Sequence, residues 1–174
     1  MALLNIVEQE NATPKVAEIY EKMNERMGFI PGSYKMFGNS EHVLNQQIGN
    51  IMYFSTNTRF SGKLLAFIRL LVSEQEHCEY CVGVNTGILF QYGILPEQIN
   101  EVVKDHSKVP LDENEKELLF FVLKMVKNSK SVVQEDVDKL RGLGWTDADI
   151  LEASFHGANS AGMDKIFNAF QVHM

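Results

Sequence analysis

Residues 64–86 of this 174-residue chain read LLAFIRLLVSEQEHCEYCVGVNT. The first nine of these residues are apolar nearly all round a helix and are interrupted only by Arg69, which predicts a deeply buried helix. The polar stretch after them leads to Cys78 and Cys81, and apolar spacing then resumes in a second helix. The stretch therefore predicts two consecutive helices, with both cysteines of the chain in the first turn of the second one.

Helix signals also fill the sequence before this stretch. Thr13 followed by Pro14 predicts the start of a first helix, and Gly28 predicts its end. The segment 29–40 contains a proline and two glycines, which favours a turn and a short helix over a strand. Ser40 can cap a third helix, and Ser61 can cap the buried one.

The C-terminal half continues in the same way. Gly93 is placed to end the cysteine helix, and Pro96 to open a short one. Asp112 is an N-cap candidate with Glu115 in the position of a capping box, and a further helix is expected from Val133 to Leu140. Thr146 predicts a last long helix that reaches about Val172. No segment has a strand pattern, so we predict an all-α fold, a single-domain helical bundle over residues 1–174.

Composition restricts the function classes. The net charge is −7 and the pI is about 5.2, which disfavours nucleic acid as a partner because phosphate binding depends on Lys and Arg. The first residues lack the basic and apolar regions of a signal peptide, and no apolar run is long enough to cross a membrane. We therefore expect a cytoplasmic protein whose cysteines belong to a redox or metal site rather than a disulfide framework.

The spacing of Cys78 and Cys81 favours redox chemistry. Two thiols in the first turn of a helix can close a small disulfide, and the helix N-terminus stabilises a thiolate. One sulfur can then attack a peroxide or a disulfide, and the other can resolve the intermediate. We expect no metal, because a zinc site needs about four ligands and the sequence has no second cysteine pair. The histidines at positions 77, 106, 156 and 173 show no recognisable ligand spacing.

The motif CEYCV at 78–82 and the helices around it resemble the carboxymuconolactone decarboxylase-like family, in particular its alkyl hydroperoxidase D (AhpD) branch. The leader AEIYEKMNERMGFIPGSYKMFGNSEHVL, the turn at 93–97 and the closing HGANSAGMDKIFNAFQV resemble members of the same branch. The resemblance implies an all-helical fold that assembles as a homotrimer or homohexamer. It also implies a peroxidase with no bound cofactor that is re-reduced by an external thiol, dithiol or redox protein, with Cys81 attacking and Cys78 resolving.

The sequence departs from this family at the proton relay of the peroxidase branch. That relay uses a glutamate twelve residues before the first cysteine and a histidine four residues after the second. Ala66 and Asn85 occupy these positions here, and neither can take up a proton at neutral pH. Helix-terminus electrostatics would favour Cys78 over Cys81 as the thiolate, so the order of attack stays open.

Three other residues could take part in the proton transfer. Glu74 and His77 lie close to the cysteines in sequence, and His156 lies inside the last helix. A solvated loop would account for the first two residues, and packing would account for the third. Arg69 needs an anionic partner or an exposed end, and Tyr80 is expected to pack against a neighbouring helix or subunit.

Three functions follow from these residues. The first is a thiol-dependent antioxidant oxidoreductase, a peroxidase or disulfide reductase, that uses the Cys78 and Cys81 pair. The second is a homo-oligomeric scaffold or binding protein with the same fold and vestigial cysteines. The third is a decarboxylase or lactone-processing enzyme, for which the sequence identifies no acid or base.

Overall fold

A computed structural model describes residues 2–56 and 59–172. Within these residues every regular element is helical and none is a strand, which confirms the predicted all-α class. The α-helices are α1 (Pro14–Met27), α2 (Gly32–Phe37), α3 (Glu41–Thr56), α4 (Gly62–Gln75), α5 (Glu79–Gln91), α6 (Pro96–Lys104), α7 (Glu113–Lys127), α8 (Gln134–Gly142) and α9 (Asp147–Ala169). None of the described helices combines the length and the apolar character that a membrane span requires.

The helices fall into two compact units. One contains residues 2–56 and 169–172 of the described chain, and the other contains residues 59–168. The first unit comprises α1, α2 and α3, and the second contains α4 to α8 with α9 up to residue 168. The extent of the domain, 1–174 as one piece, stays a prediction.

The first unit is organised around Tyr20 of α1. Its side chain is fully buried, and its hydroxyl lies 3.2 Å from the backbone carbonyl oxygens of both Val7 and Tyr34. Burial, with the charge of Glu8, raises the pKa of Tyr20 to about 12, so the hydroxyl remains a hydrogen-bond donor. α1 ends at Gly28 as predicted, with φ at 78°, but the side chain of Thr13 makes no capping hydrogen bond at its start.

The second unit is built on α4, which packs against α5 and α7. Ser61 caps α4 by accepting the Leu64 N–H at 3.0 Å, as the sequence predicts. Asp112 likewise caps α7 by accepting the Glu115 N–H at 2.9 Å. The carboxylate of Glu115 reaches the Ser61 N–H at 3.1 Å, so it joins the start of α7 to the start of α4. The buried residues of α4 include Leu64, Leu65, Ala66, Phe67, Ile68, Leu70, Leu71, Val72 and Ser73.

The last helix is shorter than the sequence predicts. α9 ends at Ala169 rather than near Val172. Gln171 has a φ of 53°, a left-handed conformation that cannot continue a right-handed helix. Thr146 takes its expected place at the start of α9, where its Oγ1 accepts the Asp149 N–H at 3.2 Å.

Candidate active site

The end of α4 and the start of α5 bring the two cysteines together. α4 ends at Gln75, and His77, with φ at 55°, turns the chain into α5. Cys78 is the N-cap of α5, and its Sγ accepts the Cys81 N–H at 3.4 Å. Both cysteines are free thiols and are buried, with exposed fractions of 1% for Cys78 and 8% for Cys81. The two sulfurs therefore lie within 4.8 Å of each other at the start of α5, and that of Cys78 caps the helix N-terminus.

Asp164 of α9 completes a cluster with these thiols. One of its carboxylate oxygens and the two sulfurs all lie within 4.8 Å of one another. The Asp164 side chain is only 2% exposed. Its Oδ1 accepts the Ser73 hydroxyl at 3.1 Å, whereas within the described part of the chain Oδ2 has no donor apart from the two thiols. The cluster thus contains a buried carboxylate whose neighbours, apart from Ser73, are the two thiols.

Ser73 fixes the geometry of this cluster from α4. Its hydroxyl donates to Asp164, and its backbone carbonyl accepts the Cys78 N–H at 2.9 Å. The side chain of Ser73 is buried, so both hydrogen bonds are shielded from water. One residue therefore positions the carboxylate and the first thiol relative to each other.

The electrostatics of the pair place the negative charge on Cys78. The hydrogen bond from the Cys81 thiol, helped by the Cys81 N–H, lowers the pKa of Cys78 against the opposing effects of burial and of Asp164. The same thiol hydrogen bond, burial and Asp164 raise the pKa of Cys81. Burial raises the pKa of Asp164, partly offset by the two thiols and Ser73. When one thiol of the reduced pair ionises, the charge is therefore favoured on Cys78, whose sulfur accepts a hydrogen bond from the Cys81 thiol.

A second polar cluster surrounds Arg69 of α4, beside the first turn of α5. The Arg69 Nε donates to Asn85 Oδ1 at 2.8 Å, and its Nη1 lies 3.2 Å from His156 Nε2. Asn85 is buried and donates from Nδ2 to the Cys81 carbonyl at 2.8 Å. Asn85 and His156, both singled out in the sequence, are thus brought together by Arg69. Asn85 holds the backbone of Cys81 rather than its sulfur, and His156 is linked to it through Arg69.

His156 is a neutral acceptor in this cluster. Because a guanidinium only donates, the ring nitrogen that faces Arg69 must accept, and the other ring nitrogen can donate to the Leu65 carbonyl. Burial, together with the charge of Arg69, lowers the pKa of His156 to about 3. His156 therefore contributes to the site as a fixed neutral group.

This shift predicts a loss of stability in acid. The folded-state pKa of about 3 lies below the value of about 6.5 in the unfolded chain, so the unfolded chain binds more protons between these values. The contribution of His156 is complete above about pH 6.5 and declines as the pH falls towards 3, by at most ~1.4 kcal/mol per pH unit. Urea unfolding between pH 4.5 and 7.5 measures this slope. The slope should be smaller in His156→Gln, and equal slopes in both proteins would contradict the prediction.

The other predicted supporting residues lie where α4 leads into α5. Glu74 is half-buried in the last turn of α4, and His77 is exposed. Asp164 is the carboxylate that shares the hydrogen bonds of the sulfurs. Tyr80, between the cysteines, packs edge-on against Phe167 of α9 with ring centroids 5.5 Å apart, which confirms its predicted contact with a neighbouring helix.

Sequence reasoning missed Asp164 and Ser73. The usable signal was in α9, where polar residues recur every fourth position among small ones: His156, Ser160 and Asp164. All three are buried, so the polar stripe faces the interior of the second unit. A charged residue in such a stripe is unusual in a core and marks a candidate site.

The fold matches those of solved AhpD-like proteins. A peroxidase-related protein from Ralstonia eutropha JMP134, described as an alkylhydroperoxidase AhpD core, aligns at a TM-score of 0.86 and 18% identity, over 99% of this chain and 91% of that one. A peroxidase-related protein from Silicibacter sp. TM1040 aligns at 0.85 and 20% identity with the same coverage. The debrominase Bmp8 aligns at 0.78 and 16% identity, again over 99% and 91% of the two chains.

No protein-family model matches the sequence, and no curated protein matches it significantly. The structural matches establish that this chain has the all-α AhpD-like fold, as the sequence resemblance implies. At these identities the likeness concerns the fold, and the function has to be argued from the site.

Proposed function

We propose that this protein is a thiol-dependent oxidoreductase in which Cys78 and Cys81 cycle between dithiol and disulfide as they reduce a hydroperoxide. The observation that carries the proposal is the cluster of two sulfurs and the buried Asp164 carboxylate within 4.8 Å of one another. The sulfurs supply the two electrons, and the carboxylate can carry a proton between reacting groups in a site closed to water.

Cys78, Cys81 and Asp164 can together supply the electrons and protons that reduction of a hydroperoxide requires. The Cys78 thiolate attacks the outer oxygen of the hydroperoxide and breaks the O–O bond, while the Asp164 carboxyl gives its proton to the departing alkoxide. Cys78 is then a sulfenic acid and the product is an alcohol. The Cys81 sulfur next attacks the Cys78 sulfur, and Asp164 passes the Cys81 proton to the departing hydroxide, which leaves as water. An external thiol or dithiol reductant returns the disulfide to two thiols.

The hydrogen bonds of the pair support Cys78 as the attacking residue. Its sulfur accepts both the Cys81 N–H and the Cys81 thiol, and each of these bonds stabilises the thiolate. The family resemblance implies the opposite order, with Cys81 attacking. That order depends on a relay that Ala66 and Asn85 cannot provide here. Asp164 is the residue that we place in the proton-transfer role instead.

The solved structures support a peroxidase on this fold, but they do not identify its substrate. Two of them are peroxidase-related proteins, whereas Bmp8 is a debrominase on the same fold. We choose a hydroperoxide because the site joins two thiols to one proton carrier, which is what O–O cleavage and disulfide closure require. The cytoplasmic location, the homotrimer or homohexamer and a redox protein partner stay predictions.

The test is the fate of each thiol after exposure to tert-butyl hydroperoxide, with the reduced protein in chelator-containing buffer. We expect the wild type to form one Cys78–Cys81 disulfide per chain, Cys81→Ser to stop at a sulfenic acid on Cys78 that dimedone traps, and Cys78→Ser to keep its remaining thiol. Mass spectrometry of the alkylated peptides reads all three results.

Two outcomes would change the conclusion. A sulfenic acid on Cys81 in Cys78→Ser would reverse the order of attack but keep the function. A wild-type protein whose thiols react no faster than free cysteine would overturn the proposal and favour the scaffold hypothesis. Turnover of small lactones or carboxylic acids by a protein lacking both thiols would support the decarboxylase hypothesis.

A further inference from the structure

The cluster that we assign to redox chemistry also has the composition of a metal site. Two thiol sulfurs and one carboxylate oxygen meet in the interior of the second unit, and all three side chains are buried. Thiolates are soft ligands that select thiophilic cations, and a Cys-x-x-Cys spacing supplies two ligands in many zinc sites. The sequence prediction of no metal considered histidines as the remaining ligands and overlooked Asp164.

A second observation points to a ligand at this position. The Oδ2 of Asp164 is buried and, in the described part of the chain, has no donor apart from the two neighbouring thiols, and the residue is 2% exposed. A buried carboxylate oxygen without a partner is costly and is usually paired with a donor or a cation. Because the Ser73 hydroxyl satisfies Oδ1 and the only other described donors are thiols that lose their protons on binding a metal, the second oxygen becomes available to a cation.

The three atoms lie close enough together to reach one tetrahedral ion. With Zn–S bonds of about 2.3 Å and a Zn–O bond of about 2.0 Å, the sulfurs would lie about 3.8 Å apart and each sulfur about 3.5 Å from the oxygen. The cluster satisfies an upper bound of 4.8 Å for every pair, so the ligand atoms need to move by no more than about 1.3 Å. Ser73 already orients two of the three ligands through its hydroxyl and carbonyl.

We propose that the reduced protein binds one Zn²⁺ per chain through the sulfurs of Cys78 and Cys81 and a carboxylate oxygen of Asp164, with the fourth coordination position open. Binding releases to solvent whatever protons the two thiols and the Asp164 carboxyl carry, and it involves no change in oxidation state. The inference goes beyond the proposed peroxidase function, because it needs only the reduced thiols. Disulfide formation removes both sulfur ligands, so the oxidised protein cannot hold the ion.

The test is a titration of reduced, metal-free protein with Co²⁺, followed by displacement with Zn²⁺. We expect one Co²⁺ per chain, the intense visible absorption of a four-coordinate complex and a sulfur-to-cobalt charge-transfer band in the near ultraviolet. Zn²⁺ should abolish both signals. The disulfide form of the wild type should show neither signal, a comparison that does not depend on the folding of any variant.

Substitutions identify the third ligand. Asp164→Asn should weaken Zn²⁺ binding at least tenfold, since loss of a ligand should cost as much as the 10–100-fold typical of losing its supporting groups. Glu76→Gln is the matched control, because Glu76 lies in the same segment as the cysteines but pairs with Lys165 at 3.2 Å. It makes the same change of charge and should leave the affinity nearly unchanged.

Three results would overturn the inference. They are equal affinities in wild type and Asp164→Asn, a stoichiometry of one ion for two or more chains, and equal binding by the oxidised protein. None of these bears on peroxide-driven disulfide formation, which is measured with a chelator present. A protein that binds Zn²⁺ but ignores peroxide would in turn contradict the proposed function alone.

Discussion

Replacing Asp164 with asparagine is expected to slow peroxide-driven disulfide formation by about 10²–10⁴-fold, the usual contribution of a positioned proton donor and acceptor. The substitution keeps the shape of the side chain, and the amide oxygen can still accept the Ser73 hydroxyl. What it removes is the group that can give a proton to the alkoxide and pass on the proton of Cys81. Single-turnover oxidation with tert-butyl hydroperoxide, quenched by alkylation at timed intervals, measures the rate.

The same control variant serves this experiment. Glu76→Gln changes the charge near the cysteines, but Glu76 bonds to Lys165 and, through its backbone carbonyl, to Asn168, and it affects the pKa of Asp164 less than burial and the hydrogen bonds of the cluster do. It should oxidise at close to the wild-type rate. If Asp164→Asn also oxidised at that rate while remaining folded by circular dichroism, water would be the proton carrier and Asp164 would have no catalytic role.

Replacing Gly157 with leucine is expected to prevent the second unit from packing, and Gly157→Ala to destabilise it by about 1–3 kcal/mol. A Cβ at this position of α9 would clash with the side chain of Val122, and it would lie 3.4 Å from Val126 and 3.6 Å from Ile68. Val122 is itself fully buried, so it has little room to move. The close approach of α9 to α7 therefore requires a residue without a side chain.

Gly162→Ala is the matched control for Gly157→Ala because both lie in α9. A Cβ at Gly162 would meet nothing within 4 Å. Alanine there should stabilise the helix by about 0.5–1 kcal/mol through its higher propensity. Urea unfolding can be followed by the fluorescence of Trp145, the single tryptophan of the chain, which lies in the second unit. Equal free energies of unfolding for the two variants would show that α7 can shift to make room for a Cβ at position 157.

The sequence predicted the local features of the fold well, since caps and glycine turns act over a few residues. Gly93 illustrates this: it has a positive φ, and Ile94 after it donates its N–H to the Leu89 carbonyl, five residues earlier, at 3.1 Å. The end of α9 was misplaced, because no breaker residue in the sequence marks the left-handed turn at Gln171.

The candidate site was predictable only where it is local. The cysteine pair and its place at a helix start lie within four residues, whereas Asp164 meets Ser73 across 91 positions of sequence. His156 and Arg69 are similarly 87 positions apart. Such pairs depend on how α4 and α9 pack, and one sequence contains little information about that. For this reason Glu74 and His77, neighbours in sequence, were proposed ahead of Asp164.

The Arg69 cluster limits how this site could acquire the relay histidine of the peroxidase branch, which would stand at the position of Asn85. A histidine introduced at position 85 would inherit the place of Asn85 between the Arg69 guanidinium and the Cys81 carbonyl. There one ring nitrogen would accept from arginine and the other would donate to the carbonyl, which leaves none for a sulfur. Arg69 would have to change first, or gain a glutamate partner from the fully buried position 66. A histidine at position 85 would therefore need a further change around Arg69 before its ring could reach a sulfur.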